Sequence, residues 1–136
     1  MADNEHIRIL LEDGVEIWNK WREGNPDIIP QLTSGYFDRA GIFGANLENA
    51  ILFGANLRSA VLSKANLCNA DLSSADISRA YLGCADLRNA RLEGIKNWKN
   101  IESLKHANLF GVRDAPDGFV EWAIEVKGAV CIETCE

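Results

Sequence analysis

Between residues 40 and 92 the chain repeats every five positions. Alanine stands at 40, 45, 50, 55, 60, 65, 70, 75, 80, 85 and 90. Two places after each comes Ile or Leu: Ile42, Leu47, Leu52, Leu57, Leu62, Leu67, Leu72, Ile77, Leu82, Leu87 and Leu92. A helix cannot bury this set. At about 100° per residue, a step of five turns the side chain by roughly 140°, so the leucines would wander over every face. One long strand fails too, because side chains alternate with period two and five is odd.

A short extended piece followed by a turn that resets the parity satisfies the pattern. Alanine and leucine then point inward together, the next residues turn a corner, and the chain winds into a coil. Neighbouring coils pair through their backbones about 4.8 Å apart. Leucine fills the centre of the narrow interior, and alanine takes the cramped place near each corner. A buried leucine contributes about 1.5–3 kcal/mol, so the series supplies most of the core.

The blocks Ala45-Asn46-Leu47, Ala55-Asn56-Leu57, Ala65-Asn66-Leu67, Ala70-Asp71-Leu72, Ala75-Asp76-Ile77 and Ala85-Asp86-Leu87 follow the pattern A-(D/N)-L-x-x. On these blocks the chain resembles the pentapeptide repeat proteins. The resemblance implies an all-β solenoid, a right-handed quadrilateral β-helix with four repeats in each coil. The period of five sets it apart from the hexapeptide-repeat acyltransferases. The frame extends back through Gly35-Tyr36-Phe37 to Pro30-Gln31-Leu32. It breaks where Ile95 takes the alanine slot and Asn97 the leucine slot, and Ala107-Asn108-Leu109 restores it two residues out of register. The expected organisation is an N-terminal helical cap over 1–29, a β-helix over 30–94, a protruding loop at 95–100 with a final coil to 112, and a C-terminal cap and tail over 113–136.

Caps are needed because an open β-helix exposes unpaired backbone and an apolar section at each end. Ile7, Leu10, Leu11, Val15, Trp18 and Trp21 follow helical spacing, with a break expected near Gly14. Asp13 and Glu16 read as a capping box. Near the other terminus Pro116 suits a first helical turn, Phe119, Trp122, Ala123 and Val126 form one face, and Gly128 ends the element. Trp18, Trp21, Trp98 and Trp122 all lie outside the neutral repeats, which fits lids over the core.

Charge and composition then narrow the function. Net charge is −6, of which residues 1–30 carry −4, residues 31–94 none and residues 95–136 −2. This count offers no basic stripe to a nucleic acid. No apolar run is long enough to span a membrane, and the acidic start MADNEHIRILLEDG is unlike a secretory signal. A cytoplasmic monomer that contacts neither nucleic acid nor membrane is the expectation. Cys68, Cys84, Cys131 and Cys135 have no zinc spacing and read as free thiols, with Cys131 and Cys135 able to meet only in a helical tail. His6 and His106 sit in no catalytic setting, and no phosphate-binding or nucleophile motif occurs. No enzyme activity, cofactor or metal is expected.

A coil of twenty residues also predicts which outward side chains stack. Asn46, Asn66 and Asp86 form one column, and Asn49, Asn69 and Asn89 a neighbouring corner; such ladders support turn backbones. Asp71 and Asp76 occupy the same slot and read as fold residues. Phe43, Val61 and Tyr81 share another face with Gly41, Ser63 and Gly83 around them, and this apolar group is the candidate protein-binding site. Ile51 and Phe53 form a smaller patch opposite. Asp38 lies under Arg58, and Cys68 separates Glu48 from Arg88; Cys68 and Cys84 both read as outward. The leading expectation is a non-catalytic scaffold or regulatory protein that binds another protein. The resemblance carries two precedents: cyanobacterial members implicated in cell differentiation, and long negative rods that mimic DNA and protect gyrase from quinolones. The neutral, short repeats here contrast with those rods. A small-ligand binder is the third alternative.

Overall fold

The computed structural model describes residues 4–133. Its backbone pairs in parallel between positions twenty apart, in four columns: Gln31–Ile51–Asp71–Arg91, Tyr36–Asn56–Asp76–Lys96, Gly41–Val61–Tyr81 and Asn46–Asn66–Asp86. Four columns make a four-sided coil. On each side the residue after alanine exchanges both backbone bonds with its neighbours; Leu47 N–H reaches the Asn66 carbonyl at 2.7 Å and Asn66 N–H the Ala45 carbonyl at 3.0 Å. Each corner is a β-turn from leucine to the next alanine, as in Ala50 N–H to Leu47 C=O at 3.0 Å.

The fifth residue of every repeat supplies the parity reset. From Ser34 through Gly94 these residues all have positive φ, between 56° at Ser59 and 70° at Gly44. Positive φ at the third turn position, following a negative one, is the sign pattern of a type II turn, which favours Gly and Asn. Asn49, Asn69 and Asn89 meet that demand at one corner. The interior is closed: Ala45, Leu47, Leu57, Leu62 and Leu67 are all 1% exposed or less.

The frame shift is narrower than the expected loop at 95–100. Ile95 is buried and Lys96 still pairs with Asp76. The next rung joins Tyr81 to Ser103, twenty-two residues apart, and Asp86–Asn108 and Arg91–Arg113 keep that offset. The two extra residues therefore lie within 97–100, where Asn97 has φ 59° and Trp98–Asn100 forms a 3-10 turn. Buried Ile101 then refills the core.

At the N-terminal end, helix α1 (Asn4–Arg8) runs into a π-type turn (Ile9–Asp13), breaks at Gly14 with φ 92°, and continues as α2 (Val15–Gly24). The Asp13–Glu16 capping box does not form: α2 has no side-chain cap, and the Asp13 carboxylate instead takes the Arg8 guanidinium at 3.1 Å. Leu11 faces outward. Helix α2 replaces the missing coil with side chains. Trp18 Nε1 donates to the Asn46 carbonyl at 2.8 Å, and Asn46 N–H donates to Asn19 Oδ1 at 2.8 Å. Arg22 Nη1 and Nη2 donate to the Glu48 carbonyl at 3.1 and 2.9 Å. On the adjoining side Gln31 N–H donates to His6 Nδ1 at 2.9 Å.

The C-terminal end closes differently. Helix α3 (Phe119–Lys127) starts later than expected, since Phe119 N–H closes a turn on the Pro116 carbonyl at 3.0 Å. Phe119 and Ala123 are buried, while Val126 points to solvent instead of joining their face. Trp98 packs edge-on against Phe119 and Trp122, with ring centres 5.5 and 5.3 Å away. Beyond Gly128 the chain is extended, not helical: Val130 pairs with Asn108, and the Asn108 side chain bonds the Ile132 backbone at 2.8 and 3.1 Å. Cys131 is exposed, and Cys135 lies outside the described residues.

Candidate functional site

The face carrying Val61 and Tyr81 is held rigidly by the ladder beneath it. Val61 N–H bonds the Ala40 carbonyl at 2.8 Å, Leu62 N–H the Tyr81 carbonyl at 2.8 Å, and Tyr81 N–H the Ala60 carbonyl at 2.9 Å. Alternation along each short strand sends Leu62 and Leu82 inward and Val61 and Tyr81 out. Tyr81 is 41% exposed and Val61 half-buried beside it on the adjacent rung. Phe43 stands one coil earlier, two residues after Gly41, and is 52% exposed. The Lys64 ammonium lies 5.8 Å from its ring centre, within reach of a cation–π contact. The structure thus joins Val61 to Tyr81 directly and sets Phe43 at the rim of the same face. Gly41 and Gly83 leave the surface around them low. Phe53 on the opposite face is 48% exposed, but Ile51 beside it is half-buried between Gln31 and Asp71.

The Asn/Asp slot does turn chemistry. Asn46, Asn56, Asn66, Asp71, Asp76, Asp86 and Asn108 each accept, through the side-chain oxygen, the N–H two residues on, at 2.9–3.2 Å. These side chains hold corners, as the columns predict. Cys68 departs from its outward reading: it is 8% exposed, with Arg88 Nη2 3.6 Å from its sulfur. Burial, then the hydrogen bond to Asp86, pushes its thiol up to about 11, so it is a poor nucleophile. Cys84 stays exposed at the turn corner.

The residues that sequence reasoning missed are His6, Asn19 and Arg22. Arg22 is 6% exposed; burial lowers its pKa, and the Glu48 charge opposes that shift. Their signal lay in the spacing: Trp18, Asn19 and Arg22 fall on one side of α2, where polar groups facing a core need partners. The gap left between the core leucines is about 10 Å³, apolar and scarcely the size of one water. Among the described residues no three of His, Cys, Asp and Glu converge to hold a metal ion. Nor is any helix there long and apolar enough to cross a membrane.

Against known proteins, residues 42–76 and 55–94 match the family model of pentapeptide repeats, in eight copies. No curated protein matches the chain. Among solved structures it is similar to HetL, a pentapeptide repeat protein involved in heterocyst differentiation regulation from the cyanobacterium Nostoc, at 30% identity and TM-score 0.44 over 70% of this chain and 35% of that one. It is similar to QnrB1, a plasmid-mediated fluoroquinolone resistance protein, at 16% identity and TM-score 0.55 over 75% and 60% of the two chains. A pentapeptide repeat protein of the Arabidopsis thaliana thylakoid lumen is 25% identical, with TM-score 0.47 over 76% and 77%. The chain spans about a third of the length of the first and 60% of the second.

Proposed function

We propose, from the chain's membership of the pentapeptide repeat family and its right-handed quadrilateral β-helix, that it is a non-catalytic binding protein that docks another protein on the Val61–Tyr81 face. One observation carries this reading. At the ladder slot that Asn46, Asn56, Asn66, Asp71, Asp76 and Asp86 fill with Asn or Asp, this face presents Val61 and a 41%-exposed Tyr81 on adjacent rungs, with exposed Phe43 at its rim. Water-facing apolar side chains grouped on adjacent rungs of one face fit a partner surface. The filled interior supports a role without catalysis, since a substrate needs a cavity that the leucines occupy. In this reading the protein works as a cytoplasmic monomer.

The DNA-mimic alternative requires a continuous negative rod. Residues 31–94 carry six basic and six acidic side chains, which gives that alternative no support. The test is a capture from native cytosol with wild-type bait and a Val61→Ser/Tyr81→Ser bait that melts like wild type. A protein retained by the first and lost by the second supports the reading. Equal recovery on both baits removes this face as the site.

A further inference from the structure

A different corner of the solenoid carries five cations that the sequence scatters. Arg39 and Arg79 occupy the same turn corner two coils apart, both with positive φ, and Arg39 N–H bonds the Arg58 carbonyl at 2.8 Å. Lys96 ends the Tyr36–Asn56–Asp76 column on the adjoining side. Lys99 sits in the 3-10 turn that follows Arg79, whose N–H bonds the Asn100 carbonyl at 2.9 Å. All five are exposed, and among the described residues none has a carboxylate within ion-pair distance. The acids beside them are engaged or peripheral. Asp38 accepts from the Tyr36 hydroxyl at 3.3 Å, and Asp76 accepts from Ser78 N–H at 3.0 Å and Asn97 Nδ2 at 3.3 Å. Glu102 follows on the next coil, at the C-terminal limit of the strip.

Net counts along the sequence do not show this strip. The zero charge of residues 31–94 is an average: three of their six cations, Arg39, Arg58 and Arg79, stand at this corner with Lys96 and Lys99 beyond them, while of the six acids Asp38 and Asp76 lie beside the strip and Glu48, Asp71, Asp86 and Glu93 on other sides.

We propose that this strip is a docking site for a short acidic segment of a partner protein in extended conformation. Three coil spacings make it about 15 Å long, which spans roughly five extended residues. Its length also decides between anions. A nucleic-acid strand would carry its charges past both ends of the strip, toward flanks of net −4 and −2. A short acidic peptide ends where the cations end. Tyr36, 67% exposed at the N-terminal end of the same side, offers a ring to an apolar residue flanking the acids. The site stands whether or not the Val61–Tyr81 face has a partner.

The test is fluorescence anisotropy with labelled hexaglutamate, hexaglutamine and a six-nucleotide oligothymidylate, at low and near-physiological salt. Saturable binding of hexaglutamate is expected, weakened about tenfold or more as the Debye length contracts to about 8 Å. Hexaglutamine should not bind, and the oligothymidylate should bind more weakly. Arg39→Asn/Arg79→Asn, which keeps a residue tolerant of positive φ, should reduce hexaglutamate affinity at least about fivefold at low salt. Arg58→Gln/Lys96→Gln, outside the strained corners, should do the same, so a folding defect in one pair does not decide the matter. Val61→Ser/Tyr81→Ser should bind as wild type does. Absence of hexaglutamate binding, binding untouched by either charge pair, or equal or tighter binding of the oligothymidylate overturns the proposal.

Discussion

The two ends of this solenoid face the same deficit and meet it with different chemistry. Each would leave a row of backbone donors and acceptors without a neighbouring coil, above an open section of leucines. At the N-terminal end α2 lays side chains where backbone should be. Trp18 Nε1 takes the carbonyl of Asn46, Asn19 its N–H, and Arg22 the carbonyl of Glu48. At the C-terminal end the backbone itself continues: the Asn46–Asn66–Asp86–Asn108 column gains Val130 as a further rung, while Phe119 and Trp98 plug the core. Side chains imitate a coil only at chosen points, whereas an added strand does so continuously. The N-terminal solution therefore rests on a few separable side-chain bonds, and the C-terminal one on a backbone-paired strand beside a packed aromatic group.

Removing the plug is the most damaging way to probe that contrast. Phe119→Ala should cost about 3–5 kcal/mol in urea melting, the usual range for truncating a buried aromatic side chain. Amide exchange at Val130 and Leu109 should quicken far more than at Leu47, because the loss falls on α3, to which the tail is tied by the Ala129 N–H bond to the Ala123 carbonyl at 3.0 Å. Uniform loss of protection at both ends would show that the ends do not act as separate closures.

Single bonds at the other end should cost less. Trp18→Phe keeps most of the ring against the core but leaves the Asn46 carbonyl only the longer bond from Arg22 Nη1 at 3.5 Å, for a loss of about 0.5–1.5 kcal/mol. Exchange at Asn46 and Leu47 should quicken while Val130 stays protected. A melting curve unchanged from wild type would mean that water replaces the indole donor without cost, and the side-chain imitation of a coil would lose its energetic meaning.

These closures also mark where the sequence was legible and where it was not. The coil could be read because Ala and Leu recur in a frame that only a turning chain can bury, and the return of the motif at Ala107, two residues out of register, showed the insertion. Helical caps could be read from the spacing of Trp18, Trp21, Phe119 and Trp122. The partners of Asn19, Arg22 and His6 could not, since they are backbone groups more than twenty residues away whose need arises only when a coil is missing. Cys68 shows the same limit: its slot points outward, and the length of the Arg88 side chain above it decides its burial. For the candidate face, stacking at twenty-residue spacing placed Val61 beside Tyr81, but their exposure depends on where the tail runs. The basic corner was hidden because Arg39 and Arg79 are fifth residues two coils apart and Arg58 is a fourth, so no single column of the repeat lines the cations up.

The smallest expected effect concerns the charged rung between the two ends. Asp86 and Arg88 form an ion pair at 2.6 Å, with side chains 24% and 21% exposed. Burial alone would raise the Asp86 pKa; the Arg88 side-chain bond, the Cys68 thiol and the Arg88 N–H outweigh it and hold the carboxyl well below the usual carboxylate range. A carboxyl whose folded pKa is depressed adds stability that is fully present above its unfolded pKa of about 3.9 and is lost as pH falls through the folded value. Acid melting should therefore steepen below about pH 4. Asp86→Asn should flatten part of that slope while sparing the turn, since Asn66 one rung away accepts the equivalent N–H at 3.0 Å. Trp18 and Asn19 carry no titrating group, so in strong acid, where the depressed Asp86 carboxyl takes up its proton, exchange should quicken at Arg88 before it does at Asn46. Earlier loss at Asn46 would place the acid-sensitive bonds in the N-terminal closure and reverse the ranking of the two regions.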